Sequence, residues 1–89
     1  MGLTIIFSEE ALQDIAFWKL SGNNKIQQKI TALIIAIQND PFAGIGKPEA
    51  LKFDLAGKWS RRINQEHRII YEMIADSLII HSLKGHYQK

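Results

Sequence analysis

Eighty-nine residues, 46% hydrophobic and 22% charged, suit one compact domain spanning residues 1–89, and the charge level excludes a disordered chain. There is no cysteine, so disulfides, thiolate zinc sites and cysteine nucleophiles are excluded. The net charge of +2 is unevenly spread: residues 1–40 set three lysines against four carboxylates, whereas residues 41–89 set eight Lys and Arg against five. No apolar run is long enough to span a bilayer, and Met1 to Phe7 lacks the basic start and long apolar stretch of a signal peptide. The expectation is a soluble, cytoplasmic protein.

Leu3-Thr4-Ile5-Ile6-Phe7 is β-branched and apolar, which predicts a strand. Ser8 before Glu9 and Glu10 predicts a helix start, because the hydroxyl can accept from an orphan backbone N–H and carboxylates suit the positive end of the dipole. Leu12, Ile15, Ala16 and Lys19 recur at helical spacing, and Ser21-Gly22 ends the run. Asn23 or Asn24 can cap a second helix with Ile26, Ile30, Leu33, Ile34 and Ile37 on its apolar face. Asp40-Pro41 stops it, since the residue before proline is pushed out of the α region.

From Pro41 to Pro48 the chain reads as loop, and beyond it the period changes to two. Ala50 to Leu55 has the composition of a short strand. Trp59 to Ile63 and His67 to Tyr71 flank Asn64-Gln65-Glu66 as a hairpin, and Ser77 to Leu83 follows Ala75-Asp76 as a last strand. The order β-α-α-β-β-β predicts an α+β fold: a twisted, mainly antiparallel sheet with a helical hairpin packed on one face.

The other face must then be accounted for. Alternation turns Ser60, Arg62 and Asn64 one way and Trp59, Arg61 and Ile63 the other, while Arg68, Ile70 and Glu72 share a face. Two antiparallel strands can therefore bring Arg62 and Arg68 together, and like charges set opposite one another favour an anion that relieves the repulsion. Solvation, or pairing with Glu66 and Glu72, is the plainer reading of the same residues. The histidines show no metal-ligand spacing, so no metal or other cofactor is expected. His67 and His81 are expected as hydrogen-bonded fold residues, and Trp18 and Trp59 as packing residues.

Three stretches carry a resemblance: Gly46-Lys47-Pro48-Glu49-Ala50-Leu51-Lys52; Trp59-Ser60-Arg61-Arg62-Ile63 running on to Glu66-His67-Arg68-Ile69-Ile70-Tyr71; and His86-Tyr87. Together with Phe7-Ser8-Glu9-Glu10 and Asp40-Pro41-Phe42, they resemble the YoeB (Txe) toxins of bacterial type II toxin–antitoxin systems, within the RelE/ParE superfamily. The resemblance implies a RelE-like fold and a metal-independent endoribonuclease that cleaves mRNA in the ribosomal A site, so inhibiting translation. Position by position, it implies Glu49 as general base, His86 as general acid, Arg68 as the phosphate-stabilising arginine and Tyr87 as the C-terminal aromatic. Lys52 and Arg62 match basic positions of the same cleft, and Lys47, Arg61 and Lys84 join them as expected RNA or phosphate contacts.

Implied partners are mRNA on the 70S ribosome, a Phd/YefM-type antitoxin and, through the antitoxin complex, operator DNA; a homodimer is also admitted. Gln88-Lys89 follow the His-Tyr pair, with which the family typically ends. Gly85 stands where a bulkier aromatic is common, and Lys84 where arginine is frequent. Two other readings stay open: a ParE-like gyrase poison, which needs no acid–base pair, and a silent binding module in an antitoxin–operator complex.

Overall fold

The computed structural model describes residues 3–85. Strand β1 (Thr4–Phe7) leads into helix α1 (Glu9–Ser21) and helix α2 (Asn24–Asn39). After a loop come β2 (Glu49–Ala50), a 3-10 turn (Phe53–Leu55), β3 (Lys58–Arg62), β4 (Arg68–Ile74) and β5 (Ser77–Ser82). The five strands form one mixed sheet in the order β1-β5-β4-β3-β2. Only the β1–β5 pair is parallel, so the α+β architecture is the expected one. Among the described residues no helix is long and apolar enough to cross a membrane.

Both helix starts follow the side chains that predict them. Ser8 Oγ accepts from the Ala11 N–H at 3.0 Å and donates to the His81 carbonyl at 2.8 Å, so one hydroxyl caps α1 and ties it to β5. Asn23 Oδ1 accepts from the Ile26 N–H at 3.1 Å. Gly22 closes α1 at φ 70, a left-handed position that suits a residue without Cβ.

The rotation of α1 departs from the expected stripe. Ala11 and Trp18 are buried and Ile15 is half-buried, whereas Leu12 is 55% exposed. Two polar contacts one helical turn apart set this rotation: Asp14 accepts from the Leu83 N–H at 2.8 Å, and the Trp18 indole donates to the Leu83 carbonyl at 2.9 Å. Satisfying those buried groups outweighs the burial of one leucine. In α2 the apolar stripe is as read, with Ile30, Leu33 and Ile37 buried and Ile26 and Ile34 half-buried.

The helices cover the sheet face that carries Ile63, Ile69, Tyr71, Leu78 and Ile80. Each fully buried Leu or Ile there contributes roughly 1.5–3 kcal/mol of transfer free energy. The strand expected over residues 50–55 pairs only at its start. Leu51 is buried and its N–H still reaches the Lys58 carbonyl at 2.9 Å, but Phe53 then turns to φ 58 and the chain curls into the 3-10 turn.

Candidate functional site

The face away from the helices is built by register. Glu49 lies opposite Ser60, Ser60 opposite Ile70 and Ile70 opposite Ser82, which makes one row across four strands. The neighbouring row sets Arg62 directly opposite Arg68. Ser60 and Ile70 are buried and form the floor. Beyond them lies a cleft of about 530 Å³, lined by Ile70, Lys58, His81, Ser82, Lys84 and Gly85 together with Leu55 and the start of α1 at Ser8–Glu10.

Arg62 is exposed, and Arg68 is half-buried beside the β3–β4 turn. One Arg68 nitrogen, Nη1, donates to the carbonyls of Asn64 at 2.7 Å, Gln65 at 3.1 Å and His67 at 3.1 Å. Those dipoles hold the planar guanidinium in a fixed orientation next to Arg62, and they offset part of the repulsion between two like charges on facing positions. The turn itself is tied by Asn64 Oδ1, which accepts from the backbone N–H groups of Glu66 at 2.8 Å and His67 at 2.7 Å.

Two further bonds bring the chain's end to this spot. The Arg68 N–H donates to the Gly85 carbonyl at 2.9 Å, and the Gly85 N–H donates to His67 Nδ1 at 2.9 Å. Trp18 meets the His67 ring edge-on with centroids 4.9 Å apart, which fixes the imidazole. His67 is thus a hydrogen-bonded fold residue, and it anchors the segment that leads into residue 86. His86 and Tyr87, expected as acid and aromatic, lie outside the described residues.

The other expected positions divide. Glu49 sits exposed on β2, one row from Arg62 and Arg68. Lys47 and Lys52 are exposed on either side of it, and Lys84 is exposed at the cleft wall with its ammonium 4.5 Å from the centre of the Phe17 ring. Arg61 is a correction. It was expected to contact RNA, but it is fully buried under the helix face, and its guanidinium is taken up by Tyr71 and three loop carbonyls. Alternation explains this: Arg61 and Arg62 project to opposite faces of β3.

His81 is a hydrogen-bonded fold residue as expected, and its partner is Glu72, with Oε1 and Nε2 2.9 Å apart. The register between β4 and β5 shifts at Ile70/Tyr71, a bulge that strand alternation does not announce. Among the described residues no three His, Asp or Glu side chains gather as a metal site requires.

Residues 7–87 match the family described as the YoeB-like toxin of bacterial type II toxin–antitoxin systems. The chain belongs to that family. It is 46% identical over 87 residues to Toxin YoeB of Synechocystis, covering 98% of this chain and all of the relative. The YoeB/ParE toxin from Agrobacterium tumefaciens superposes with a TM-score of 0.89 at 37% identity, covering 96% of this chain and all of the other. The toxin of a YoeB-YefM complex from Staphylococcus aureus does so with 0.85 at 43% identity, covering 96% and 98%. The open face carrying Glu49, Arg62 and Arg68 is therefore the face of a YoeB-family toxin.

Proposed function

We propose that the protein is a ribosome-dependent endoribonuclease that cuts mRNA in the A site and so halts translation. The observation that carries this reading is the bond from the Arg68 N–H to the Gly85 carbonyl, which brings the chain just before His86 to the Arg62–Arg68 pair, one row from Glu49. In the proposed reaction Glu49 takes the 2′-hydroxyl proton and the 2′-oxygen attacks phosphorus. The bond from phosphorus to the 5′-oxygen then breaks, and His86 gives that oxygen a proton. Arg68, its guanidinium oriented by the turn, and Arg62 opposite it stabilise the extra charge on the five-coordinate phosphorus. The products are a 2′,3′-cyclic phosphate and a 5′-hydroxyl.

A carboxylate is a weak base for a 2′-hydroxyl. Orientation must supply the difference, and a codon held splayed and in line by the ribosome provides it, which accounts for ribosome dependence. Lys47, Lys52 and Lys84, all exposed, would hold the RNA backbone, and Tyr87 would stack on a codon base or contact the phosphate. Acting on ribosomes places the protein in the cytoplasm.

The Staphylococcus aureus relative was solved as a YoeB-YefM complex, which supports a YefM-type antitoxin here too. An acidic, partly apolar antitoxin tail that folds onto the cleft would cover the basic groups, and the complex would reach operator DNA through the antitoxin. The test is end-group analysis of RNA cut on purified ribosomes. The reading predicts 5′-hydroxyl ends that accept phosphate from polynucleotide kinase without prior phosphatase treatment, and their loss in His86→Ala. Fragments bearing 5′-phosphates would rule out attack by the 2′-hydroxyl.

A further inference from the structure

Arg61 is a fully buried charge, and among the described residues no carboxylate forms an ion pair with it. A buried charge without partners is strongly unfavourable, so the groups that Arg61 meets matter. Nε donates to the Tyr71 hydroxyl at 3.1 Å, Nη1 to the Ile45 carbonyl at 3.1 Å, and Nη2 to the carbonyls of Asp40 at 2.6 Å and Ala43 at 2.9 Å. The Tyr71 hydroxyl in turn donates to the Pro41 carbonyl at 2.7 Å. Four carbonyls of one short segment, Asp40 to Ile45, therefore converge on one guanidinium and one phenol. Asp40 also caps the C-terminus of α2, whose last turn holds no basic residue, so Arg61 supplies the cation that the negative end of that helix favours.

The clamped segment leads directly to Glu49. The Gly46 carbonyl accepts from the Arg62 N–H at 2.6 Å, and a Cβ on Gly46 would lie 2.7 Å from a Leu33 methyl and 3.1 Å from Arg61 Cβ. Only Lys47 and Pro48 then separate this fixed point from Glu49. On its far side Glu49 is held by a two-residue edge strand, a short pairing that gives little rigidity by itself.

We infer that Arg61 is a positioning residue: through the Asp40–Gly46 segment it sets where the Glu49 carboxylate stands relative to Arg62 and Arg68. Resting on the proposed role of Glu49 as base, it gives Arg61 and Arg62 separate tasks, one fixing the loop from beneath and the other facing the RNA. A lysine at 61 keeps the charge but cannot present the planar fork that reaches carbonyls at 40, 43 and 45 together.

The experiment is a double-mutant cycle with Arg61→Lys and Glu49→Gln, read as single-turnover cleavage of ribosome-bound mRNA, with thermal unfolding of each variant recorded alongside. Arg61→Lys is expected to slow the cleavage step by about 10–100-fold while half-saturation by ribosomes moves less than about threefold, as for a displaced reacting group. In the Glu49→Gln background the same change is expected to slow cleavage no further. Should Arg61→Lys not fold, Tyr71→Phe removes one link of the clamp and enters the same cycle. Equal slowing in both backgrounds would overturn the positioning role while leaving Glu49 as base. Undiminished cleavage by Glu49→Gln would overturn the base assignment and this inference with it.

Discussion

Arg61 and Arg62 are adjacent in sequence and differ in every physical respect. Arg62 is exposed on the open face opposite Arg68, while Arg61 is buried and bonded to Tyr71 and the loop. Strand alternation separates the two faces from sequence alone, but it does not say that a guanidinium on the helix face will find enough carbonyls to be buried. Tyr71 offers a direct probe of this network. Burial pushes its hydroxyl above the ordinary value of 10.0, against the opposing pull of the hydrogen-bonded Arg61. Above a pH of about 10 the unfolded tyrosine releases its proton while the folded one keeps it, so stability falls as pH rises. Urea unfolding at successive alkaline pH values should show a steeper loss in the wild type than in Tyr71→Phe. At neutral pH that variant should be weaker by about 1–2 kcal/mol, through the Arg61 and Pro41 contacts it loses.

Elements defined by local chemistry were legible in the sequence, and those defined by distant contacts were not. Ser8, Gly22, Asn23 and Asp40 bound both helices as local capping rules require. Leu12 was misplaced because the rotation of α1 is set by Asp14 and Trp18 reaching Leu83, a partner about seventy residues away in the chain. Ser8→Ala should cost about 1–2 kcal/mol in chemical denaturation, since it removes both a cap and a tie to β5. Two glycines with positive φ should respond differently to alanine. At Gly22 a Cβ meets open space, so the backbone alone sets a cost of about 1 kcal/mol. At Gly46 the new methyl also meets the Leu33 side chain, Arg61 Cβ and the Arg62 carbonyl, for a total of about 2–4 kcal/mol by the same measurement.

At the scale of the whole molecule, the sequence specified two helices on one side of a mainly antiparallel sheet. It did not specify the parallel pairing of β1 with β5, which joins residues more than seventy apart. That pairing brings the start of α1 beside β5, so the cleft has Ser8–Glu10 on one wall and Lys84–Gly85 on another. The site was legible as residue types at matching positions, and its Arg62–Arg68 core followed from strand alternation. Its lateral extent was not legible, because alternation gives the face of Glu72 and His81 but not the β4–β5 register, Glu72 opposite Ile79, that makes them neighbours. Whether this face cuts RNA on the ribosome, as proposed, is open to direct assay. Primer extension on a defined mRNA with purified ribosomes should show discrete A-site cuts with the wild type, weakened about a hundredfold or more in Glu49→Ala and Arg68→Ala. An absence of cuts with the wild type, or undiminished cuts in both variants, would contradict the account.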